Sequence, residues 1–259
     1  MPMSDELLVA ADGPVLRVTF NRPAQRNALS WAMYEGLVAA IDRAESDPDI
    51  RVVVLRGAGE EAFVAGTDIA QFAEFTSGED GVAYEQRMEA VFGRLEAATV
   101  PTMAAISGYC VGAGIALAAA CDLRVSTTSG RFGVPVARTL GNCLAMNTYS
   151  MLVFHLGPSR AKDMLLRARM FTAEEAHETG FVTELCDVGE LDSVVDTMCS
   201  RLVQHAPLTM WASKEAVRRL RLATMPDGDD LVRTVFGSDD FRSGVRAFLD
   251  KTPHTWSGR

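Results

Sequence analysis

The chain has 259 residues, 48% of them hydrophobic and 23% charged, which excludes a disordered chain or a fibrous repeat and leaves length enough to bury a substantial core. Its 25 Lys and Arg against 34 Asp and Glu give a formal charge of −9, which argues against a nucleic-acid surface. Five cysteines (Cys110, Cys121, Cys143, Cys186, Cys199) are odd in number and form no CxxC pair, so a disulfide framework or zinc knuckle is not expected and they read as reduced thiols in a cytosol.

Met1 to Ala11 carries Asp5 and Glu6 and no basic-then-apolar run, so no export signal is expected and the location reads as cytoplasmic. Leu7 to Ala11, the turn dipeptide Asp12-Gly13 and Val15 to Phe20 predict a β-hairpin. A helix from Ser30 to Glu45 follows, with Met33, Leu37, Val38 and Ile41 at helical spacing and Ser30 as N-cap. Arg51 to Arg56 predicts a strand, Glu79 to Ala98 an amphipathic helix stopped before Pro101, and Thr102 to Ser107 and Asp122 to Ser126 two more strands. Met103 to Cys121 holds no charged residue, but Gly108, Gly112 and Gly114 break it into a strand, a tight loop and a short buried helix rather than a membrane span. Apolar strands alternating with helices predict an α/β fold with a largely parallel sheet.

From Asn142 onward the pattern is helical, near 143–155, 158–168, 173–179, 190–205, 208–223 and 239–250. Thr172 and Glu175 form a capping box, and Gly180 is placed to end that helix. Arg218, Arg219 and Arg221 read as a solvated helix face rather than a polyanion site. No internal repeat is visible. The division expected is an α/β core over 1–195 and a helical region over 196–259.

Three segments carry candidate chemistry. Asn21-Arg22-Pro23 with Gln25 to Ser30 reads, residue by residue, as a strand exit and helix start. In Ala62 to Ile69, Gly66 allows a sharp turn and Asp68 can cap a following helix, leaving N–H groups free to meet an anion. In Ser107 to Leu117, Gly112-Ala113-Gly114 lets a ligand approach the backbone at the positive end of a helix. A dinucleotide site competes for this last segment, but the third glycine of GxGxxG is missing and no acidic residue follows at the required distance. If both turns end strands of one sheet, two N–H groups can converge on one oxygen. The four histidines (His155, His177, His205, His254) show no ligand spacing, so no metal is expected, and His155 reads as a helix-end or packed residue.

Taken in order, NRPAQRNALS, AFVAGTDI, SGYCVGAGIALAAACDLRV and DDFRSGVRAFLDK resemble the crotonase superfamily, the enoyl-CoA hydratase/isomerase family, from Asn21 to the carboxy terminus. The resemblance implies a spiral of ββα repeats with a helical C-terminal trimerisation region, a homotrimer or a hexamer made of two trimers, and a coenzyme A thioester as substrate with no other cofactor. It places the two oxyanion-binding N–H groups on Thr67 and Ala113. Arg26, Ala28 and the loop Ala65, Gly66, Thr67, Asp68, Ile69 would lie along the CoA, with Gly112 beside the thioester. Phe241 and Lys251 would approach CoA from the terminal helix, of this chain or of a neighbouring subunit. The two glutamates of a hydratase of this kind fall at Ala116 and Val136, neither of which transfers a proton. The resemblance therefore leaves hydration, isomerisation, thioester hydrolysis, decarboxylation, dehalogenation and plain CoA-ester binding open. Cys143, Tyr109, Glu85 and Glu89 are the weak candidates for the missing side chain. A buried inert thiol outweighs a catalytic Cys143, and a solvated helix face outweighs a role for Glu85 or Glu89.

Overall fold

A computed structural model describes residues 5–258, so the part of the export-signal expectation that falls on Met1 to Ser4 lies outside the described residues. Along the chain run β1 (Leu7–Asp12), β2 (Val15–Phe20), α1 (Trp31–Ser46), β3 (Val52–Gly57), β4 (Ala62–Ala65), α2 (Gly78–Glu96), β5 (Thr102–Ile106), β6 (Tyr109–Val111) and α3 (Ala113–Ala120). There follow β7 (Leu123–Thr127), β8 (Arg131–Gly133), α4 (Val136–Thr139), α5 (Met146–Leu166), β9 (Phe171–Thr172), α6 (Ala173–Glu178), β10 (Glu184–Cys186), α7 (Leu191–Val203), α8 (Pro207–Leu222), α9 (Asp229–Phe236) and α10 (Asp239–Asp250).

The strands form two sheets. The larger has the order β1-β2-β3-β5-β7-β10 and is parallel except for the β1–β2 hairpin. The smaller has the order β4-β6-β8-β9. Three successive stretches of chain, β3-β4-α2, β5-β6-α3 and β7-β8-α4, each add one strand to the large sheet, one to the small sheet, and then a helix. This is the ββα spiral that the resemblance implied.

Side chains alternate across a strand, so the run Val52 to Leu55 feeds two cores at once. Val53 and Leu55 enter the main core between sheets and helices, while Val52 and Val54 meet Leu191, Val195 and Cys199 of α7 on the far face. A strand covered on both faces must be apolar throughout, and each fully buried side chain of this kind contributes roughly 1.5–3 kcal/mol. Because α7 packs on the large sheet, the expected division at residue 195 falls inside a helix of the core.

Local signals account for most boundaries. Ser30 Oγ accepts from Met33 N–H at 3.4 Å, and Thr172 and Glu175 cap each other. Gly157, at φ 75°, followed by Pro158, breaks α5 where two helical segments were expected. The eight-residue α9 was not anticipated; Val232 and Phe236, one turn apart, bury its inner face, and Phe236 packs on α2 at Gly81. The arginine cluster also needs correction. Arg218 and Arg219 pair with Glu215, but the Arg221 side chain is only 3% exposed and grips Glu96 with Nε at 2.9 Å and Nη2 at 2.5 Å. Among the described residues no helix is long and apolar enough to cross a membrane, and Met103–Cys121 is divided among β5, β6 and α3.

Candidate active site

β4 and β6 are parallel neighbours with Ala65 opposite Val111, so the turns that follow them leave the small sheet at the same edge. The sequence placed the second turn directly after the strand at 102–107. Instead the chain bends at Gly108, at φ 64°, and enters β6 of the small sheet first, which is what brings the two turns together. Gly112, at φ 57°, takes a backbone conformation that favours glycine, and a Cβ there would lie 3.6 Å from Gly66 Cα.

Hydrogen bonds fix where the amides point. The Gly66 carbonyl accepts from Leu29 N–H at 2.9 Å, and in a trans peptide the N–H lies opposite the carbonyl. Thr67 N–H is therefore aimed away from Leu29, toward the β6 side of β4. The Gly112 carbonyl accepts from Ala116 N–H at 3.3 Å, closing the first turn of α3 and aiming Ala113 N–H out of the helix end. The dipole of α3 adds partial positive charge at that point. Thr67 is further held by its side chain, whose Oγ1 meets Tyr34 Oη at 2.8 Å and Tyr84 Oη at 2.9 Å. Burial pushes both tyrosine hydroxyls well above their ordinary pKa, so these three groups act as neutral hydrogen-bonding partners.

Both turns line one cavity of about 210 Å³. Phe72, Met88, Phe92 and Leu144 make its wall largely apolar, and Ala116 and Val136 are part of that wall. The two positions that the resemblance assigns to hydratase glutamates thus face the cavity but carry no ionisable group. The polar groups on the wall include Glu85, Thr148 and Asn142, whose Oδ1 is buried without a hydrogen-bond partner among the described residues.

Glu85 overturns the solvated-face reading. It is 8% exposed, lies on the inner stripe of α2 with Val82, Met88 and Phe92, and borders the cavity. Its Oε2 accepts from Ala145 N–H at 2.9 Å. Burial raises its pKa from 4.5 to about 8; the Ala145 bond opposes that rise and the Glu89 charge adds to it. The signal was present in the sequence: an acidic residue at helical spacing within an apolar stripe.

Other candidates go elsewhere. Cys143 is buried outside the cavity wall, and burial pushes its thiol up to about 12, so it is no thiolate. Glu89 accepts from Asn147 N–H at 3.0 Å, and Tyr109 is exposed beneath Arg26, whose guanidinium lies 5.2 Å from the ring centre. Neither is on the cavity wall. His155 packs on Phe181 with a ring nitrogen 3.1 Å from Ala119 O, and burial lowers its pKa to about 4, as a packed residue rather than a base.

Of the residues expected along the ligand, Ala65, Gly66, Thr67, Ile69, Gly112 and Ala113 line the cavity. Arg26 and Ala28 lie beside it, the Arg26 carbonyl accepting from Ala65 N–H, and Asp68 caps the next turn while pairing with Arg22 at 3.0 Å. Phe241 is not brought to the cavity: it is 1% exposed and stacks with Phe72 and Phe236, because its helix turns that face into an aromatic cluster. Lys251 is exposed at the end of α10, away from the cavity wall.

Comparison with known proteins agrees with this fold. The sequence matches the family described as enoyl-CoA hydratase/isomerase over residues 11–259. It is 32% identical over 258 residues to 2,3-dehydroadipyl-CoA hydratase of Escherichia coli (strain K12), covering 98% of this chain and 99% of that protein. Among solved structures, an enoyl-CoA hydratase/carnithine racemase from Magnetospirillum magneticum matches with a TM-score of 0.81 at 32% identity, covering 99% of this chain and 97% of the other. Methylmalonyl-CoA decarboxylase complexed with 2S-carboxypropyl CoA matches with a TM-score of 0.90 at 24% identity, covering 99% of each chain, a likeness of fold.

Proposed function

The chain belongs to the enoyl-CoA hydratase/isomerase family, and from that premise we propose that it binds an acyl-CoA thioester whose carbonyl oxygen is held by the N–H groups of Thr67 and Ala113. The observation that supports the reading is the pair of turns after β4 and β6, side by side on one cavity with both amides turned out of the secondary structure. Two fixed donors favour the enolate or tetrahedral oxyanion over the neutral carbonyl, because negative charge develops on that oxygen only as reaction proceeds. The apolar wall excludes water and receives a short acyl chain.

Apolar Ala116 and Val136 favour a reaction of the family other than water addition through two glutamates. Water addition needs one group to activate water and another to protonate carbon, whereas moving a double bond relocates one proton and needs a single acid–base group. Enolate chemistry of the isomerase kind fits this wall best. No cofactor is called for beyond the CoA of the substrate. Arg26, its side chain 55% exposed and paired with Glu61 at 2.6 Å, would lie along the nucleotide end of CoA. Leu208, Trp211 and Leu220 on the outer side of α8 are exposed, which supports assembly through the C-terminal helices as a trimer or pair of trimers.

The test is Ala113→Pro. Proline is tolerated at the first position of a helix, yet it removes the N–H in question. The wild-type protein is expected to bind butyryl-CoA by calorimetry and to turn over an enoyl-CoA. The variant should keep its circular dichroism and lose about 10²–10³ in kcat. Full activity in the folded variant, or a wild-type protein that ignores every CoA thioester, would sink the reading. Binding without turnover would identify a CoA-ester-binding protein instead.

A further inference from the structure

We propose that the Glu85 carboxyl, presented to the cavity from α2, is the group that exchanges a proton with the acyl chain of the bound thioester. The inference rests on the thioester reading above and deepens it. Among the described residues lining the cavity, Tyr84 and Glu85 are the ionisable ones, and the Tyr84 hydroxyl is engaged by Thr67. Glu85 approaches from a different helix than the one carrying Ala116, so it meets the acyl chain from another side of the same cavity. The Ala145 N–H anchors one carboxyl oxygen at 2.9 Å.

The chemistry balances with one carboxyl. In one direction a Glu85 carboxylate oxygen takes a proton from the carbon next to the thioester; that C–H bond breaks, and its electron pair forms the enolate, with negative charge on the oxygen facing Thr67 and Ala113. In the other direction the Glu85 O–H bond breaks, its proton forms a new C–H bond on the acyl chain, and the thioester carbonyl is restored. When the two carbons differ, the net result is a moved double bond, so the substrate class is a β,γ-unsaturated acyl-CoA or its conjugated isomer.

The groups around Glu85 are Tyr84 and Glu89 on its own helix, Tyr34 on α1, Cys143 and Tyr149 around the start of α5, and Asp227 and Asp229 at the start of α9, which line a second cavity together with Glu85 and Glu89. None is a cation. Burial therefore keeps the carboxyl protonated near neutral pH and ionised above about 8. A competing role exists: Glu85 and Glu89 accept from Ala145 and Asn147 at the start of α5, and a purely structural carboxyl would do the same. Glu85→Gln separates the two roles, because the amide oxygen still accepts from Ala145 N–H but cannot shuttle a proton.

The experiment measures deuterium incorporation into but-3-enoyl-CoA in D2O by mass spectrometry, alongside calorimetric binding of butyryl-CoA, for the wild-type protein and Glu85→Gln. We expect both proteins to bind within about threefold of each other, and the variant to lose about 10²–10⁴ in exchange rate. Wild-type exchange should climb as the pH approaches 8 and level off above it, since proton removal needs the carboxylate, while the residual rate of the variant shows no such step. Exchange by Glu85→Gln at the wild-type rate, or no exchange by a wild-type protein that binds the ester, overturns the role of Glu85 and leaves the thioester reading standing. Failure of the wild-type protein to bind any CoA ester overturns both.

Discussion

Gly114→Ala tests the geometry of the two donors with a single methyl group. Gly114 sits in the first turn of α3, and a Cβ there would lie 2.1 Å from the carbonyl oxygen of Val64, a backbone atom of β4. That is at least about 1.3 Å inside ordinary contact, and the atom it meets is backbone rather than a side chain that can swing away. The relief must come from moving α3 off β4, the two elements that carry Ala113 and lead into Thr67. Separating their N–H groups by about 1 Å leaves at most one within hydrogen-bonding distance of a shared oxygen, which costs about 3–4 kcal/mol of transition-state stabilisation, or 10²–10³ in kcat. Overpacking adds about 1–3 kcal/mol of lost stability, so the rate is to be read on protein shown to be folded by circular dichroism. Gly93→Ala is the control: it lies in α2 with nothing within 4 Å of its added Cβ and should leave turnover unchanged while stabilising the fold by up to about 1 kcal/mol. A folded Gly114→Ala protein with wild-type kcat would refute the convergence of the two turns as the basis of activity.

Three further outcomes follow from the same contacts. Because Glu85 rises from 4.5 to about 8 on folding, the folded state is least penalised below pH 4.5 and loses stability as pH rises toward 8; Glu85→Gln removes that loss, so its gain on wild type in urea titrations should grow from about 2 kcal/mol at pH 6 to about 4 kcal/mol by pH 8 and level off above it. Thr67→Val keeps shape but strips the oxygen shared by two buried tyrosine hydroxyls, and should cost about 1–3 kcal/mol by thermal melting, whereas Thr67→Ser should cost less. Arg221→Ala leaves Glu96 without its partner and should destabilise by about 3 kcal/mol, against less than about 1 kcal/mol for Arg219→Ala, whose side chain is 72% exposed.

How far the fold could be read in advance depended on how many residues each element supplies. β2, β3 and β5, at five or six residues, show their apolar character outright, and α1 and α2 span enough turns for a helical period to be counted. β6, β8 and β10 have three residues each and β9 has two, too few to display an alternation, and these short strands dominate the small sheet. The ββα repeat was reached through the family resemblance and not from residue pattern, for the same reason: its units share an arrangement of hydrogen bonds rather than a pattern of residues. α9 was missed although its inner residues Val232 and Phe236 are correctly spaced, since eight residues after Pro226 and Gly228 resemble a loop until α2 is there to receive them.

The candidate site divides along the same line. The two turns were legible because glycines at a strand end are visible in sequence, and it was the family resemblance that put the proposed donors on Thr67 and Ala113. Their convergence was not, since it depends on Ala65 pairing with Val111 across 46 residues of chain. Glu85 is a different case: its place in the apolar stripe of Val82, Met88 and Phe92 is visible in the sequence, but a helix glutamate is ordinarily solvated, and it is the packing of α2 against the cavity that shows which reading holds. The apolar wall is also what gives this carboxyl its chemistry. Alanine at 116 and valine at 136 put no charge and no hydrogen-bond donor into the cavity, so little there favours a carboxylate over the neutral acid. A glutamate at either position would bring water and a second charge with it. The two residues that stand where the resemblance puts hydratase glutamates are thus part of the apolar surroundings that raise the pKa of Glu85 to about 8, where one group can both take and return a proton.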